Sequence, residues 1–314
     1  MKHKAIADMT PGAEIIEGIY LLKSCQVLLS QKNYSRYLSG TLTDNTGSIG
    51  FKFWNYGYED DHVKAGTPVK IRATVTSFQD TQNMILMDIE PAEQADTQDI
   101  VPTAPIDTDR YMDQLKAMIR QIQDPAYKTL AVWFLQSYEK EIRDCPAARS
   151  VHHAFLHGLL MHTVHIMQMA CSTCTVYPML NKDLLLTAAF LHDIGKPMLE
   201  FQRGPLGLVT DYTQTGIMEG HLVGGAMLVH DACRDLHINP TVEQNIIHCI
   251  LSHHGKPEYG AAVRPAIPEA EVLSMLDNMD ASLEQFRVCL DGMKPGDISP
   301  ANPYLDGRRI CKTL

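Results

Sequence analysis

Nowhere in the 314 residues do 18 apolar side chains run together, and the opening MKHKAIADMTPG has no apolar segment. No membrane span and no secretion signal are therefore expected, and the expected setting is cytoplasmic. Positive charge is scarce: 27 Lys and Arg stand against 37 Asp and Glu, a formal net charge of −10. That excludes a protein that coats nucleic acid through bulk basicity, although bound divalent cations can supply positive charge locally. Paired cysteine patterns are missing as well. Eight cysteines are scattered along the chain, which suits a reducing compartment better than a disulfide framework. The lone CxxC, Cys171 and Cys174, lies in an apolar helical stretch without the second pair a structural zinc site needs, and reads as structural thiols.

What is present is a chain of two characters. Hydrophobic residues make up 45% and charged residues 20%, enough for a sizeable core. To about residue 92 the runs YLLKSCQVLL, YSRYLSGTLTD, GSIGFKFW, TPVKIRATVTSF and MILMDIEPA are β-rich, with a turn at Asp44–Gly47. Five short strands suit a small barrel. Residues 93–109 shift to Gln, Asp, Thr and Pro and read as a linker. From 110 to 314 the period becomes helical, with helices expected at Tyr111–Ile122, Ala126–Ile142, Ser150–Cys171, Lys182–His192, His221–Leu236, Thr241–His254 and Pro268–Cys289. The segment from Gly292 reads as a loosely packed extension. The expected fold class is thus multidomain, a small all-β barrel followed by an all-α helical bundle.

The helical half carries histidines and carboxylates in a distinctive order: His162, His192-Asp193, His221, His253-His254 and Asp280. One helical histidine is ordinarily a surface or hydrogen-bonded core residue, and His152, His157, His165, His230, His237 and His248 are expected to be such bystanders, with His153 read either so or as a phosphate contact. The joint order is a different matter. Each of the singled-out residues lies in or at the end of an expected helix, rigid enough to hold ligands at fixed separations. Imidazole and carboxylate without thiolate suit Mn²⁺, Fe²⁺, Co²⁺ or Zn²⁺ at a reactive centre. Asp193 has two oxygens with which to bridge two ions, and Lys196 follows it closely enough to neutralise a phosphate oxygen.

These residues carry a resemblance. HHAFLHGLLMHT, LLLTAAFLHDIGK, GHLVGG, ILSHHGK and AEVLSMLDNMDA resemble the HD superfamily of phosphohydrolases, and the strand order around LTDNTGSIGFKFW resembles an OB-fold. Together they resemble the YhaM-type 3′-to-5′ exoribonuclease family over nearly the whole chain. The resemblance implies His162, His192, Asp193 and Asp280 around one metal, and His221, His253 and His254 with bridging Asp193 around a second. It also implies manganese, with Co²⁺ or Fe²⁺ as alternatives. GKPEYGAA follows His253-His254 where the cyclic-dinucleotide branch would show its GYP signature, so that substrate is not supported.

The expected activity is hydrolysis of single-stranded RNA from its 3′ end, with single-stranded DNA as a further substrate and a homo-oligomer left open. Asp193 and Lys196 are the expected catalytic residues, with Arg149 and His153 as phosphate contacts. In the barrel, Tyr37, Phe51, Phe53 and Trp54 (with Tyr34 and Phe78) are the aromatics available for base stacking or for the core. The barrel segment has slightly more acidic than basic side chains, a weak footprint for nucleic acid. The rival readings are a phosphohydrolase of a nucleotide or cyclic dinucleotide, and a non-catalytic RNA-binding adaptor.

Overall fold

Alternating apolar residues build five strands: β1 (Ile16–Leu29), β2 (Arg36–Asp44), β3 (Gly47–Phe53), β4 (Pro68–Phe78) and β5 (Thr81–Pro91). The structure, a computed structural model, describes residues 4–32, 34–54, 56–57, 62–78, 81–92, 97–149 and 153–313. The strands close into a barrel in the order β1-β2-β3-β5-β4, with β4 returning to β1 and only β3 and β5 parallel. This is the order of an OB-type barrel. Tyr20, Leu22, Leu38, Leu42, Phe51, Val69, Ile71 and Met84 fill it. β1 carries a bulge between Leu22 and Ser24, and Gly40 of β2 passes it so closely that a Cβ would come 2.0 Å from the Ser24 carbonyl oxygen.

The expected turn between β2 and β3 is present, and Asp44 organises it. Its buried carboxylate accepts from the Ile6, Thr46 and Gly47 backbone N–H groups at 2.8, 2.8 and 3.0 Å, and from the Thr46 hydroxyl at 2.6 Å.

The helical unit comprises α2 (Thr108–Arg120), α3 (Pro125–Asp144), α4 (Gly158–Val176), α5 (Lys182–Leu191), α6 (Gln214–Met218), α7 (Gly220–Asp235), α8 (Pro240–Ser252) and α9 (Pro268–Leu290). Asp107, Asp124, Asn181 and Asn239 cap α2, α3, α5 and α8 by accepting first-turn N–H groups. Every residue of α5 from Leu184 to Leu191 is buried, so this helix is the centre of the bundle, with α3, α4, α8 and α9 packed around it. No helix among the described residues is long and apolar enough to cross a membrane.

Four expectations are corrected. The residues read as a linker include a helical turn, α1 (Thr97–Ile100), with Ile100 and Val101 buried; the first compact unit runs to Thr103. Residues 93–96 lie outside the described residues. α4 begins at Gly158 rather than Ser150, because His153 and His157 take left-handed backbone (φ 54° and 63°) that ends helical continuity. A hairpin of β6 (Phe201–Arg203) and β7 (Val209–Tyr212) occupies a stretch left without an expected element. Its residues Gln202–Asp211 belong to the barrel unit, where Gly66 and Gly204 allow backbones to touch. The tail is also ordered: Ile298 pairs with Cys311 and Asn302 with Arg308, burying Leu305 and Ile310.

Asp44→Ala would leave several buried donors without an acceptor. It is expected to destabilise the barrel by about 2–4 kcal/mol, read as a lower urea midpoint; an unchanged midpoint would show that water satisfies the turn.

Candidate metal centre

α5 and α8 each stop at a histidine whose ring turns back onto its own helix. His192 Nδ1 donates to the Ala189 carbonyl at 2.9 Å, and His253 Nδ1 donates to the Ile250 carbonyl at 2.8 Å. A carbonyl only accepts, so the proton sits on Nδ1 and each Nε2 keeps a lone pair. Both rings lie at the negative ends of helix dipoles, where a cation is favoured. His162 of α4 is held in the same sense by Asp280, 2.7 Å from its Nδ1. His221, in the first turn of α7, is held by Glu200, 3.1 Å from its Nδ1. A Cβ at Gly195 would lie 2.2 Å from the His221 carbonyl oxygen, so only glycine lets the turn after His192-Asp193 approach α7 this closely.

These lone pairs converge on Asp193, whose side chain is 2% exposed. Its Oδ2 is 3.2 Å from His192 Nε2 and 3.8 Å from His162 Nε2, and its Oδ1 is 3.6 Å from both His221 Nε2 and His253 Nε2. Among the described residues, Asp193 Oδ1, His221 Nε2 and His254 Nδ1 are buried without a hydrogen-bond partner. His162 Nε2 and His192 Nε2 lie 3.3 Å apart. A buried gathering of acceptors short of donors is unfavourable by itself and is what a cation relieves. Ligand atoms of His162, His192 and Asp277 all lie within 4.8 Å of one another; so do those of His192, Asp193 and His253, and those of His221, His253 and His254.

Electrostatics agree with that reading. Burial alone would raise the Asp193 pKa, but Lys196, His192 and His221 outweigh it and hold the carboxyl well below its usual range. The Lys196 ammonium lies 2.7 Å from Asp193 Oδ2. Burial opposes its charge, yet Asp193 raises its pKa. Burial also opposes a charged His162, but hydrogen bonds to Asp277 and Asp280 prevail and push it up to about 9. Burial, and then His192 and His221 respectively, pull His253 and His254 down. The carboxylates thus favour positive charge at His162, through a proton whose place a metal at Nε2 would take, while His253 and His254 stay in the neutral form that metal binding requires.

α9 brings a second acid to the histidines beside the expected Asp280, whose own ligand atoms lie within 4.8 Å of those of His153 and His162. Asp277 Oδ1 lies 3.1 Å from His162 Nε2, inside the cluster. Asp280 stands behind His162, accepting from its Nδ1, from His153 Nε2 at 2.8 Å and from His165 Nδ1 at 2.9 Å. The Tyr111 hydroxyl, 3.3 Å from His165 Nε2, extends this network. Residues three apart share a helix face, so one imidazole spans both carboxylates. The signal for Asp277 is the pair of acids in LDNMD; Glu200 and His165 had no comparable mark.

His153, expected at a phosphate, is buried against Asp280. Arg149 places its guanidinium 5.5 Å from the centroid of the Tyr212 ring. Neither lines the cleft of about 700 Å³ beside the cluster, whereas Lys196, His253, His254 and Asp277 do. On the barrel, Phe51 and Phe53 belong to the core and have no free face for a base. Trp54 is 42% exposed; Tyr37 lies 4.7 Å from it between ring centroids, and the Lys52 ammonium is 5.3 Å from the Trp54 ring. The Phe78 side chain and His152 lie outside the described residues.

Comparison with known proteins follows the same division. The family model described as HD domain matches residues 159–282, and the domain implies dependence on divalent metal. The 3′-5′ exoribonuclease YhaM of Bacillus licheniformis is 32% identical over 301 residues, covering 94% of this chain and 94% of the relative. That of Bacillus subtilis is 31% identical over 303 residues, covering 95% of each. That of Bacillus pumilus is 32% identical over 313 residues, covering 98% of each. A solved OB domain from Thermoplasma acidophilum covers 30% of this chain and 89% of its own at 15% identity and a TM-score of 0.25; the barrel assignment rests on strand order. With both halves matched end to end, the chain belongs to the YhaM family of 3′-5′ exoribonucleases.

Proposed function

We propose that this chain is a divalent-metal-dependent 3′-to-5′ exoribonuclease that uses a two-metal centre, with manganese as the working ion and single-stranded DNA as a second substrate. The observation that carries the two-metal reading is the Asp193 carboxylate, one oxygen toward His162 and His192 and the other toward His221 and His253. His162, His192, Asp193 and Asp277 would hold one ion; Asp193, His221, His253 and His254 would hold the other. A donor set of imidazole and carboxylate without thiolate suits Mn²⁺, with Co²⁺ or Fe²⁺ as alternatives. Bound there, two such ions would acidify an attacking water and offset the charge of the phosphate.

The chain's own groups do the rest. Glu200, Asp280 and the Ala189 and Ile250 carbonyls fix the tautomer and the aim of four imidazoles. Lys196, at the cleft wall, supplies a fixed positive charge for a non-bridging phosphate oxygen. Attack on the last phosphodiester with the 3′-oxygen leaving releases a nucleoside 5′-monophosphate. Exposed Trp54 and half-buried Tyr37 give the barrel a stacking surface for the strand. All eight cysteines are free, in keeping with a reducing, cytoplasmic setting.

A 5′-labelled single strand is expected to shorten progressively with Mn²⁺ and to stay intact with chelator; release starting at the 5′ end would overturn the reading. In the same assay Asp193→Asn is expected to lower turnover at least about a hundredfold with unchanged helical circular dichroism. Near-normal activity of this variant without added metal would remove Asp193 from the bridge.

The two acids of α9 separate by metal content. Asp277→Ala is expected to lose one ion per chain by elemental analysis, whereas Asp280→Asn keeps both ions with about 10–100-fold weaker affinity. The reverse pattern would restore Asp280 as the ligand.

For the barrel, point substitution is preferable to deletion because residues 202–211 fold with it. Trp54→Ala is expected to raise the KM for a long strand about tenfold, as loss of one stacked base would. An equal effect on bis(p-nitrophenyl) phosphate would assign Trp54 a structural role instead.

A further inference from the structure

The cleft beside the cluster is larger than ion binding requires. Its volume of about 700 Å³ falls in the range of roughly 300–1,000 Å³ common for small-molecule sites. One wall is α9, from which Asp277 reaches the centre. The other is the loop that leaves α8 directly after His253 and His254.

That loop is held by its backbone. Gly255 turns the chain with φ 77°, and its N–H donates to the Ser252 carbonyl at 2.7 Å. Pro257–Tyr259 forms one helical turn, closed by the Tyr259 N–H donating to the Lys256 carbonyl at 2.9 Å. Gly260 reverses it with φ 97°, and the Ala262 N–H returns to the Leu251 carbonyl at 3.0 Å. The loop is therefore ordered, yet the Tyr259 side chain it presents to the cleft is 71% exposed. The Lys256 ammonium lies 5.8 Å from the centroid of that ring, a cation–π contact that steadies it.

Charge in the cleft is uneven. Lys256 and Arg264 line it, and among the described residues neither has a carboxylate partner, in a chain whose net charge is −10. Farther along α9, Glu271 lines the same cleft; six residues of helix put it about 9 Å from Asp277. A ligand in this cleft thus has two cations, an open aromatic face and, on the same helix as Asp277, one carboxylate around it. A single nucleotide, with one phosphate, one base and a neutral 3′-hydroxyl, suits that set of groups. A further phosphate in the cleft would be opposed by Glu271.

We propose that this cleft is the pocket for one 3′-terminal nucleotide, with Tyr259 stacking on its base, Lys256 and Arg264 engaging its phosphate, and Glu271 rejecting strands that continue past it or end in a 3′-phosphate. The pocket rests on the exonuclease reading and gives it a physical basis for acting at an end: the cleft has room for a nucleotide, cations for its phosphate and a carboxylate against a further one.

The test uses the full chain, adenosine 5′-monophosphate as the probe of the pocket, and a labelled single strand as substrate. Calorimetric binding of the monophosphate is expected to weaken about tenfold in Tyr259→Ala and to recover in Tyr259→Phe, since stacking needs the ring and not the hydroxyl. The Lys256→Gln/Arg264→Gln double variant is expected to weaken it at least as much. With the strand, these losses should fall on KM rather than kcat. A strand ending in 3′-phosphate should be degraded at least tenfold more slowly than its 3′-hydroxyl twin by the wild type, with the gap narrowed by Glu271→Gln. Equal monophosphate affinity in wild type and variants, or a loss confined to kcat, would overturn the pocket. Equal rates on the two strands would overturn the role of Glu271 as an end gate. If the wild type shortens neither strand, the exonuclease reading fails, while monophosphate binding still decides whether the pocket exists.

Discussion

A carboxylate as deeply buried as that of Asp193 is tolerated only where positive charge or donors surround it, and the helical unit is organised around meeting that demand. The groups that meet it come from different elements: His162 from α4, His192 from the end of α5, His221 from α7 and His253 from the end of α8, with Lys196 from the turn between. None can be placed without the packing of its own helix. α5, buried on every face from Leu184 to Leu191, sets the position of the centre because it packs against the helices that carry His162 and Asp277 and the one that ends at His253. The site is therefore a consequence of how the bundle core closes rather than an addition to its surface.

Orientation is imposed by a second ring of acceptors. Two backbone carbonyls and two carboxylates each take an Nδ1 proton, which turns four Nε2 lone pairs inward. Asp280 collects protons from three histidines and in doing so ties α4, α9 and the loop at His153 to one point. Burial alone would raise its pKa, but the hydrogen bonds from His153, His162 and His165 hold it far below the carboxylate range. The same hydrogen bonds that keep it ionised fix His162. Losing one member would leave the others with unsatisfied buried atoms, so the network behaves as a unit.

Where local pattern decides structure, the sequence is legible. β-branched runs around Asp44–Gly47 make the hairpin plain, and the apolar periods of α5, α8 and α9 appear at nearly their observed bounds. His192-Asp193 and His253-His254 are legible because adjacent residues at a helix end have few other reasons to be polar and buried together. What is not legible depends on contacts distant in sequence. The choice between Asp277 and Asp280 turns on which nitrogen of His162 each one meets, 115 or more residues away along the chain. His153 looks like a helical residue, yet it is left-handed because the loop must deliver it to Asp280. Strand alternation cannot say which face is inward without the register, which puts Phe51 and Phe53 in the core and leaves Trp54 outside. The hairpin at 201–212 is short, and its partner surface is the barrel loop at Gly66, far earlier in sequence.

The acidic composition and the nuclease reading are reconciled by distance. At physiological ionic strength charges are screened beyond about 8 Å, so a net charge of −10 spread over the surface matters less to a bound strand than the few groups it touches. Those groups are short-ranged and of the right sign: Lys52 beside Trp54 on the barrel, and Lys196, Lys256 and Arg264 in the cleft. Affinity built from ring stacking and a few phosphate contacts depends weakly on salt, because few counterions are released. It also favours substrates with unpaired bases, since a duplex hides the faces that Trp54 and Tyr259 would stack on. A centre that concentrates divalent cations needs carboxylates around it. A strongly basic surface would instead compete with the metal for those carboxylates and would hold nucleic acid of any structure. Net acidity is thus compatible with both tasks, holding metal tightly and choosing a single-stranded end.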